Sequence, residues 1–203
     1  MLAALTAALW ALVEFSGLSW GAALFAGFTP ALASGTAVLP GAVPAIVAPL
    51  TATLVHAGLL HVGFNVLMLV VTGRAVEPVL GIGRFLLLYV AGAYAAAVAQ
   101  WAMEPTSAIP MVGASGAISA LVAAFALMFG RNRVRHPDPR VARLLGVLWL
   151  AAGWIGLQVL FGWFAAASTG VSIATAAHVG GFVAGLVLTP LLLGGHADPR
   201  RSP

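Results

Sequence analysis

Long apolar runs, separated by short breaks that contain polar residues, follow one another along most of the chain. A helix that crosses the hydrocarbon core of a bilayer needs about 17–25 predominantly apolar residues. Six runs approach or reach this length and are predicted to be spans one to six: residues 2–18, 58–73, 84–103, 113–130, 141–164 and 174–193. The second is short and begins with polar residues, as expected of a helix that starts in a water-filled cavity. The pattern predicts an all-α membrane protein built as a six-helix bundle.

Between the first two spans, residues 19–50 are apolar but contain several glycines and the prolines Pro30, Pro40, Pro44 and Pro49. Proline removes a backbone donor and interrupts helices, so this segment is a poor candidate for a continuous span. We expect a long first loop that is partly embedded in the membrane and could contain a further short helix. Residues 1–195 are predicted to form one transmembrane domain, followed by a short tail at residues 196–203.

The composition agrees with a surface that faces lipid. Of the 203 residues, 62% are hydrophobic and only 7% are charged, whereas a soluble domain has about 25% charged residues. The chain has no cysteine, which excludes disulfides and thiolate metal sites. Nine arginines without a single lysine, together with abundant alanine, suggest a GC-rich bacterium as the source.

The arginines predict how the bundle lies in the membrane. They fall only after spans two, four and six: Arg74, Arg84, Arg131, Arg133, Arg135, Arg140, Arg143, Arg200 and Arg201. Basic residues accumulate in cytoplasmic loops, so both termini and the tail are expected in the cytoplasm of a bacterial cell. The net charge of +4 is then a topology signal with anionic lipid headgroups as neighbours, and it requires no nucleic acid partner.

Five polar side chains stand out against the apolar background. His61 and Asn65 begin span two, Ser115 begins span four, His178 begins span six, and His56 lies just upstream of span two. Each of these spans follows an extracytoplasmic loop, so the side chains are expected at one depth near the outer face. Ionisable groups within a membrane are costly and commonly mark a functional site.

Ser115 lies in the run Gly113-Ala114-Ser115-Gly116, in which glycine permits a tight turn into the helix. Free N–H groups at a helix N-terminus attract an anion and therefore favour an ionising hydroxyl or an oxyanion. By itself, however, the run is more typical of close packing between membrane helices. His178 adds a side chain suited to taking and returning a proton near neutral pH, although alone it could be a packing histidine bonded to a carbonyl.

Span six carries its histidine on a face of small residues. His178, Gly181 and Gly185 share one helix face, and the GxxxG spacing lets a neighbouring helix approach until the backbones nearly touch. Such an approach could bring the histidine within hydrogen-bond reach of Ser115, placing a nucleophile beside a general base. No acidic residue is placed to complete a triad, so the prediction is a Ser–His dyad.

His61 and Asn65 are four residues apart and also share a helix face. Both can donate hydrogen bonds to a developing negative charge, where one donor is worth about 3–4 kcal/mol. The alternative is polar contact between helices, at roughly 0.6 kcal/mol per bond. A metal site is not expected, because His56 and His61 fall on different faces if both are helical, and no carboxylate is placed near them.

Taken in order, these motifs resemble those of the rhomboid family of intramembrane serine proteases. The matching segments are residues 56–65, Gly-Ala-Ser-Gly at 113–116, and Ala177-His178 followed by Gly181 and Gly185. The resemblance extends over all six spans in topology. It implies that Ser115 is the nucleophile and that His178 is the general base and then the acid. His61, Asn65 and the Ser115 N–H would hold the oxyanion.

The resemblance also implies that His56 organises the first loop and that Phe64 faces a lateral opening between spans two and five. Trp154, Phe161 or Trp163 would form the other side of that opening. The implied substrates are single-span membrane proteins, cleaved near the outer membrane interface. The family requires no metal, nucleotide or other cofactor.

Two positions depart from the family's pattern. Some relatives have an aromatic ring four residues after the nucleophile, stacked on the histidine, where this chain has Ser119. Others have Trp-Arg in the first loop, whereas Trp20 is followed by Gly21. The main alternative function is an inactive rhomboid-like scaffold that binds transmembrane helices, but it would usually lack the serine or the histidine. A transporter is disfavoured, because the polar residues cluster toward one face and no inverted repeat is evident.

Overall fold

The computed structural model describes residues 1–130, 136–169 and 174–194. Within these ranges the helices, numbered in chain order, are α1 (Leu2–Phe15), α2 (Ser19–Ala26), α3 (Pro30–Ala33), α4 (Ala48–Thr51), α5 (Leu59–Leu80), α6 (Ile82–Met103), α7 (Ser115–Phe129), α8 (Pro139–Thr169) and α9 (Thr175–Leu193). A short 3-10 helix, Ala52–Leu54, follows α4. Apart from one isolated antiparallel bridge between Phe28 and Met111, the described ranges contain no β-structure, and the predicted all-helical class is confirmed.

Four of the described helices are long and apolar enough to cross a membrane: α5, α6, α8 and α9. The helices α1 and α7 are also apolar but have only 14 and 15 residues. Large apolar side chains, such as Leu87 on α6 and Leu148 on α8, are more than half exposed. Extensive exposed apolar surface of this kind marks contact with a membrane. The chain is therefore an integral, multi-pass membrane protein.

The second span is longer than predicted. Instead of ending at Gly73, α5 continues to Leu80, and α6 begins at Ile82. Gly81 alone joins the two helices, in the left-handed region at φ +77, which glycine adopts without steric cost. The prediction of a short second span was wrong, because charged residues such as Arg74 mark the end of the hydrocarbon region and not the end of the helix.

The boundaries of other elements also differ from the prediction. Span five, predicted at residues 141–164, is the 31-residue helix α8, which begins at a proline, as proline favours the first helical position. The first loop was expected to hold a further short helix, and it holds α2, α3, α4 and the 3-10 helix. The tail at 196–203 and the arginines at 131, 133, 135, 200 and 201 lie outside the described residues.

Helix α7 lies at the centre of the bundle. Residues 115–124, its first ten, are all buried, and a helix that is apolar on every side is typically enclosed by neighbours. Small residues let those neighbours approach closely: a Cβ built on Gly92 of α6 would lie only 2.7 Å from the Ala120 Cβ of α7. Backbone-to-backbone packing of this kind is common between membrane helices.

The first loop is fastened to the segment that enters α7. Phe28 and Met111 exchange backbone hydrogen bonds of 3.0 and 2.8 Å, and the Gly113 N–H donates to the Ala52 carbonyl at 2.8 Å. These bonds fix the chain just before the N-terminus of α7, where Ser115 lies.

Candidate active site

Ser115 and His178 form a hydrogen-bonded pair near the N-termini of two helices. Ser115 is the first residue of α7, and His178 lies in the first turn of α9. The Ser115 Oγ lies 2.8 Å from the His178 Nε2. Both residues are buried, with 8% and 5% of their surfaces exposed. A hydroxyl that donates to a neutral imidazole nitrogen is in position to transfer its proton there.

The pair meets because α9 packs directly on the backbone of α7. A Cβ built on Gly181 would collide with the carbonyl oxygen of Gly116, and one on Gly185 would collide with the carbonyl oxygen of Ala120. Glycine at both positions therefore sets the separation of the helices. His178 lies one turn before Gly181 on the same face, which carries its ring to Ser115.

No acid supports the histidine within the part of the chain that the structure describes. There, His178 Nδ1 is buried and has no hydrogen-bond partner. Ser119 occupies the position that holds an aromatic ring in some relatives. A Cβ built on Gly181 would lie 3.2 Å from the Ser119 Cβ. Close packing of α7 against α9, and not a carboxylate, therefore holds the ring in place.

Ser119 links the nucleophile to α8. Its Oγ donates to the Ser115 carbonyl oxygen at 2.8 Å and accepts a hydrogen bond of 2.9 Å from the Trp154 indole N–H. The Trp154 ring stacks on Phe64 of α5, with ring centroids 5.9 Å apart. Sequence reasoning named both residues but missed their bond, although a buried indole N–H usually has a partner and a serine one turn after Ser115 offers one.

Of the three side chains considered opposite Phe64, Trp154 stacks on it. Trp163 is 67% exposed. The side chain of Phe161 lies outside the described part of the chain.

His61 lies beside the turn that precedes Ser115. Its Nδ1 accepts a hydrogen bond from the Ala57 N–H at 3.3 Å, so the neutral ring carries its proton on Nε2. A Cβ built on Gly113 would lie only 2.6 Å from that Nε2. Gly113 also has φ +106, so both the backbone conformation and the close histidine ring require glycine there.

Asn65 is one turn further along α5 and only 2% exposed. Its side-chain Nδ2 donates to the His61 carbonyl at 2.8 Å. An amide nitrogen has two N–H groups, so one remains for a second acceptor. Among the described residues, Asn65 Oδ1 has no hydrogen-bond partner.

His56 also contacts the turn that precedes Ser115. Its Nε2 accepts a hydrogen bond of 3.4 Å from the Ala114 N–H, and its ring meets that of His61 edge to face at 5.1 Å. The two rings were expected on different faces if both were helical, but His56 precedes α5, which begins at Leu59. Burial, with a smaller effect from His61, lowers the His56 pKa from 6.5 to about 3, so the ring is neutral.

The described residues contain no group of three or more His, Cys, Asp or Glu side chains that could hold a metal ion. The histidines instead bond to backbone groups and to Ser115. The arrangement offers a hydroxyl nucleophile, an adjacent base and several N–H donors around one point. That chemistry suits acyl transfer.

Residues 44–195 match a family model described as the Rhomboid domain. Proteins named Rhomboid protease are similar to the chain: GlpG of Pectobacterium atrosepticum is 34% identical over 140 residues, and GluP of Bacillus subtilis is 39% identical over 84 residues. Rhomboid-related protein 2 of Mus musculus is 34% identical over 134 residues. In the same order, these matches cover 66%, 41% and 66% of this chain. They cover 44%, 16% and 43% of the relatives, so the chain spans less than half the length of the curated relatives it matches.

Proposed function

Because the chain belongs to the rhomboid family, we propose that it is an intramembrane serine endopeptidase. It hydrolyses peptide bonds of single-span membrane proteins near the outer membrane interface. The observation that carries the proposal is the 2.8 Å contact between the Ser115 Oγ and the His178 Nε2, inside a membrane protein where an unpaired polar side chain is costly.

In this mechanism the Ser115 Oγ attacks the scissile carbonyl carbon while His178 Nε2 takes its proton. His178 then gives that proton to the leaving amine, and the peptide bond breaks to leave an acyl-enzyme. A water molecule, deprotonated by the same nitrogen, attacks the ester. The tetrahedral intermediate that forms then collapses, which releases the carboxylic acid product and returns the proton to Ser115.

Three N–H donors are assigned to the oxyanion in this proposal. The Ser115 backbone N–H is at the N-terminus of α7 and therefore has no partner within its own helix. His61 carries its proton on the nitrogen that lies beside Gly113, and Asn65 retains one free amide N–H. Donors whose positions are fixed before the reaction stabilise a developing negative charge strongly.

The length of α7 supports a site below the membrane surface. Its 15 residues form a helix about 22 Å long, shorter than a hydrocarbon core of about 30 Å. If its C-terminal end reaches the inner boundary, Ser115 lies several ångströms beneath the outer one, at the bottom of a cavity open to water. We propose α1 and α7 as the two spans that complete a six-helix domain of residues 1–195, with both termini and the tail at 196–203 in the cytoplasm of a bacterial cell.

Substrate helices enter between α5 and α8, where Phe64 stacks on Trp154. This contact joins the two helices beside the site, and separating the rings opens a lateral path from the lipid. His56, Gly113, Gly116, Gly181 and Gly185 shape the site without taking part in the chemistry. The partners are transmembrane substrates and membrane lipids, and the mechanism uses no cofactor.

The test is labelling of the purified protein with a fluorescent fluorophosphonate. Wild type is expected to label, and Ser115→Ala and His178→Ala are each expected to lose the label while remaining folded. Ser16→Ala and His136→Ala are matched controls, because both residues are exposed and distant from the site in sequence, and they are expected to label like wild type. Equal labelling of wild type and Ser115→Ala would exclude Ser115 as the nucleophile.

A further inference from the structure

One amide lies on the inward face of α8. Gln158 is only 4% exposed, and its Nε2 is buried without a hydrogen-bond partner among the described residues. Leaving a buried amide unpaired is unfavourable, most of all within a membrane. The Nε2 N–H groups of Gln158 are therefore available to a molecule that enters the bundle.

The register of α8 against α7 locates this amide. Near the cytoplasmic end, a Cβ built on Gly146 of α8 would collide with the Gly130 carbonyl at the end of α7. Further along, Trp154 of α8 bonds to Ser119 of α7. Residue numbers rise along one helix as they fall along the other, so the two helices run antiparallel.

From the Trp154–Ser119 bond, we move one helical turn toward the outer face. Because the helices are antiparallel, this step goes four residues back along α7 and four residues forward along α8. On α7 the step goes from Ser119 to Ser115, and on α8 it goes from Trp154 to Gln158. Residues four apart share a helix face, so Gln158 continues the face that Trp154 turns toward α7. Gln158 therefore lies at the depth of the nucleophile, on the side of the site formed by α8.

We propose that Gln158 is a substrate-binding residue whose amide N–H donates to a backbone carbonyl of the substrate chain, next to the scissile bond. The inference rests on the proposed proteolytic function. A carboxamide has the same donors and acceptors as a peptide group, so it can satisfy an unwound peptide backbone where water is scarce. It recognises the backbone and therefore contributes to binding irrespective of the substrate's side chains.

The experiment compares two reagents on wild type and Gln158→Leu, a change that removes the amide and nearly keeps the volume. A small fluorophosphonate reports on Ser115 alone, whereas a tetrapeptidyl chloromethyl ketone must first bind through its backbone. Gln158→Leu is expected to slow inactivation by the peptidyl reagent about fivefold to tenfold, as for one lost hydrogen bond. Fluorophosphonate labelling is expected to stay within about twofold of wild type, since Ser115 and His178 are untouched.

Gln100→Leu is the matched control, because Gln100 of α6 is the other buried glutamine of the described helices and its Nε2 donates to the side chain of Glu104, just after the helix. It is expected to leave both rates unchanged. Equal inactivation of wild type and Gln158→Leu by the peptidyl reagent overturns the proposal, as does a parallel fall in both reactions, which would indicate distortion of the dyad.

A second measurement separates this inference from the proposed function. Binding of an unreactive transmembrane peptide to Ser115→Ala, reconstituted in liposomes, is compared with binding to Ser115→Ala/Gln158→Leu. A dissociation constant about fivefold to tenfold higher in the double variant supports the role of Gln158, and an unchanged constant overturns it. If wild type reacts with neither reagent, the proposed hydrolysis fails, and the peptide measurement still decides whether Gln158 binds a substrate backbone.

Discussion

At the scale of single residues, the two N–H groups of the Asn65 amide have different partners. Asn65 holds one N–H on the His61 carbonyl, and its second N–H is available to an oxyanion. Asn65→Ala is therefore expected to lower kcat by about 100-fold or less, leaving measurable cleavage while Ser115→Ala leaves none. The measurement is steady-state cleavage of a single-span substrate in liposomes. An increase in KM with unchanged kcat would show that Asn65 binds substrate and not the oxyanion.

His56 makes the fold sensitive to acid. Its pKa is lowered from 6.5 to about 3, chiefly by burial and to a smaller extent by His61. The neutral ring accepts the hydrogen bond from the Ala114 N–H. Between these pH values the unfolded chain binds a proton that the folded chain does not. The stability contribution is thus complete above pH 6.5 and declines as the pH falls toward 3.

The unfolding temperature is therefore expected to fall across this pH window, measured by thermal denaturation in detergent. His56→Gln is expected to have a lower unfolding temperature at pH 7.5 and a shallower pH dependence. His136→Gln, at an exposed histidine, is the matched control and is expected to keep the wild-type slope. The same slope in His56→Gln as in wild type would contradict the assignment.

At the scale of elements, the bond between Trp154 and Ser119 fastens α8 to α7. Trp154→Phe keeps a ring against Phe64 but removes the indole N–H, and Ser119→Ala removes its acceptor. Each change is expected to lower the free energy of unfolding by about 1 kcal/mol. Because both act on one hydrogen bond, the double variant is expected to lose less than the sum of the two. Strict additivity in this double-mutant cycle would contradict a direct bond.

The separation of α7 and α9 depends on glycine at position 181, where any side chain would meet the α7 backbone. Gly181→Ala introduces a methyl group that collides with the Gly116 carbonyl oxygen, so α9 must move and carry His178 away from Ser115. Fluorophosphonate labelling is expected to fall by at least about tenfold, as for a disturbed catalytic geometry. Gly83→Ala is the control, since its Cβ would meet nothing within 4 Å. Unchanged labelling of Gly181→Ala would show that α9 tolerates a wider separation.

The sequence predicts elements better than it predicts their ends and their contacts. Apolar runs identify membrane helices because lipid accepts no unsatisfied backbone, and this gave the all-helical class. Helix ends are predicted less well, because a helix can continue beyond the hydrocarbon region, where its residues need not be apolar. Helix α5, which continues past Arg74, is an example. The position of Ser119 opposite Trp154 depends on which turn of α8 meets α7, and no periodicity within one helix contains that information.

At the scale of the whole molecule, the orientation decides on which side the site opens. All nine arginines fall around the breaks after predicted spans two, four and six, and we propose that these breaks face the cytoplasm and that the loop between α6 and α7 lies outside. The chain has no cysteine, so Thr106→Cys in that loop and His136→Cys before α8 each introduce a single reactive thiol at an exposed position. In intact cells a membrane-impermeant maleimide is expected to label Thr106→Cys alone, and after lysis it labels both. The reverse pattern would place Ser115 near the cytoplasmic face and restrict the substrates to bonds at that interface.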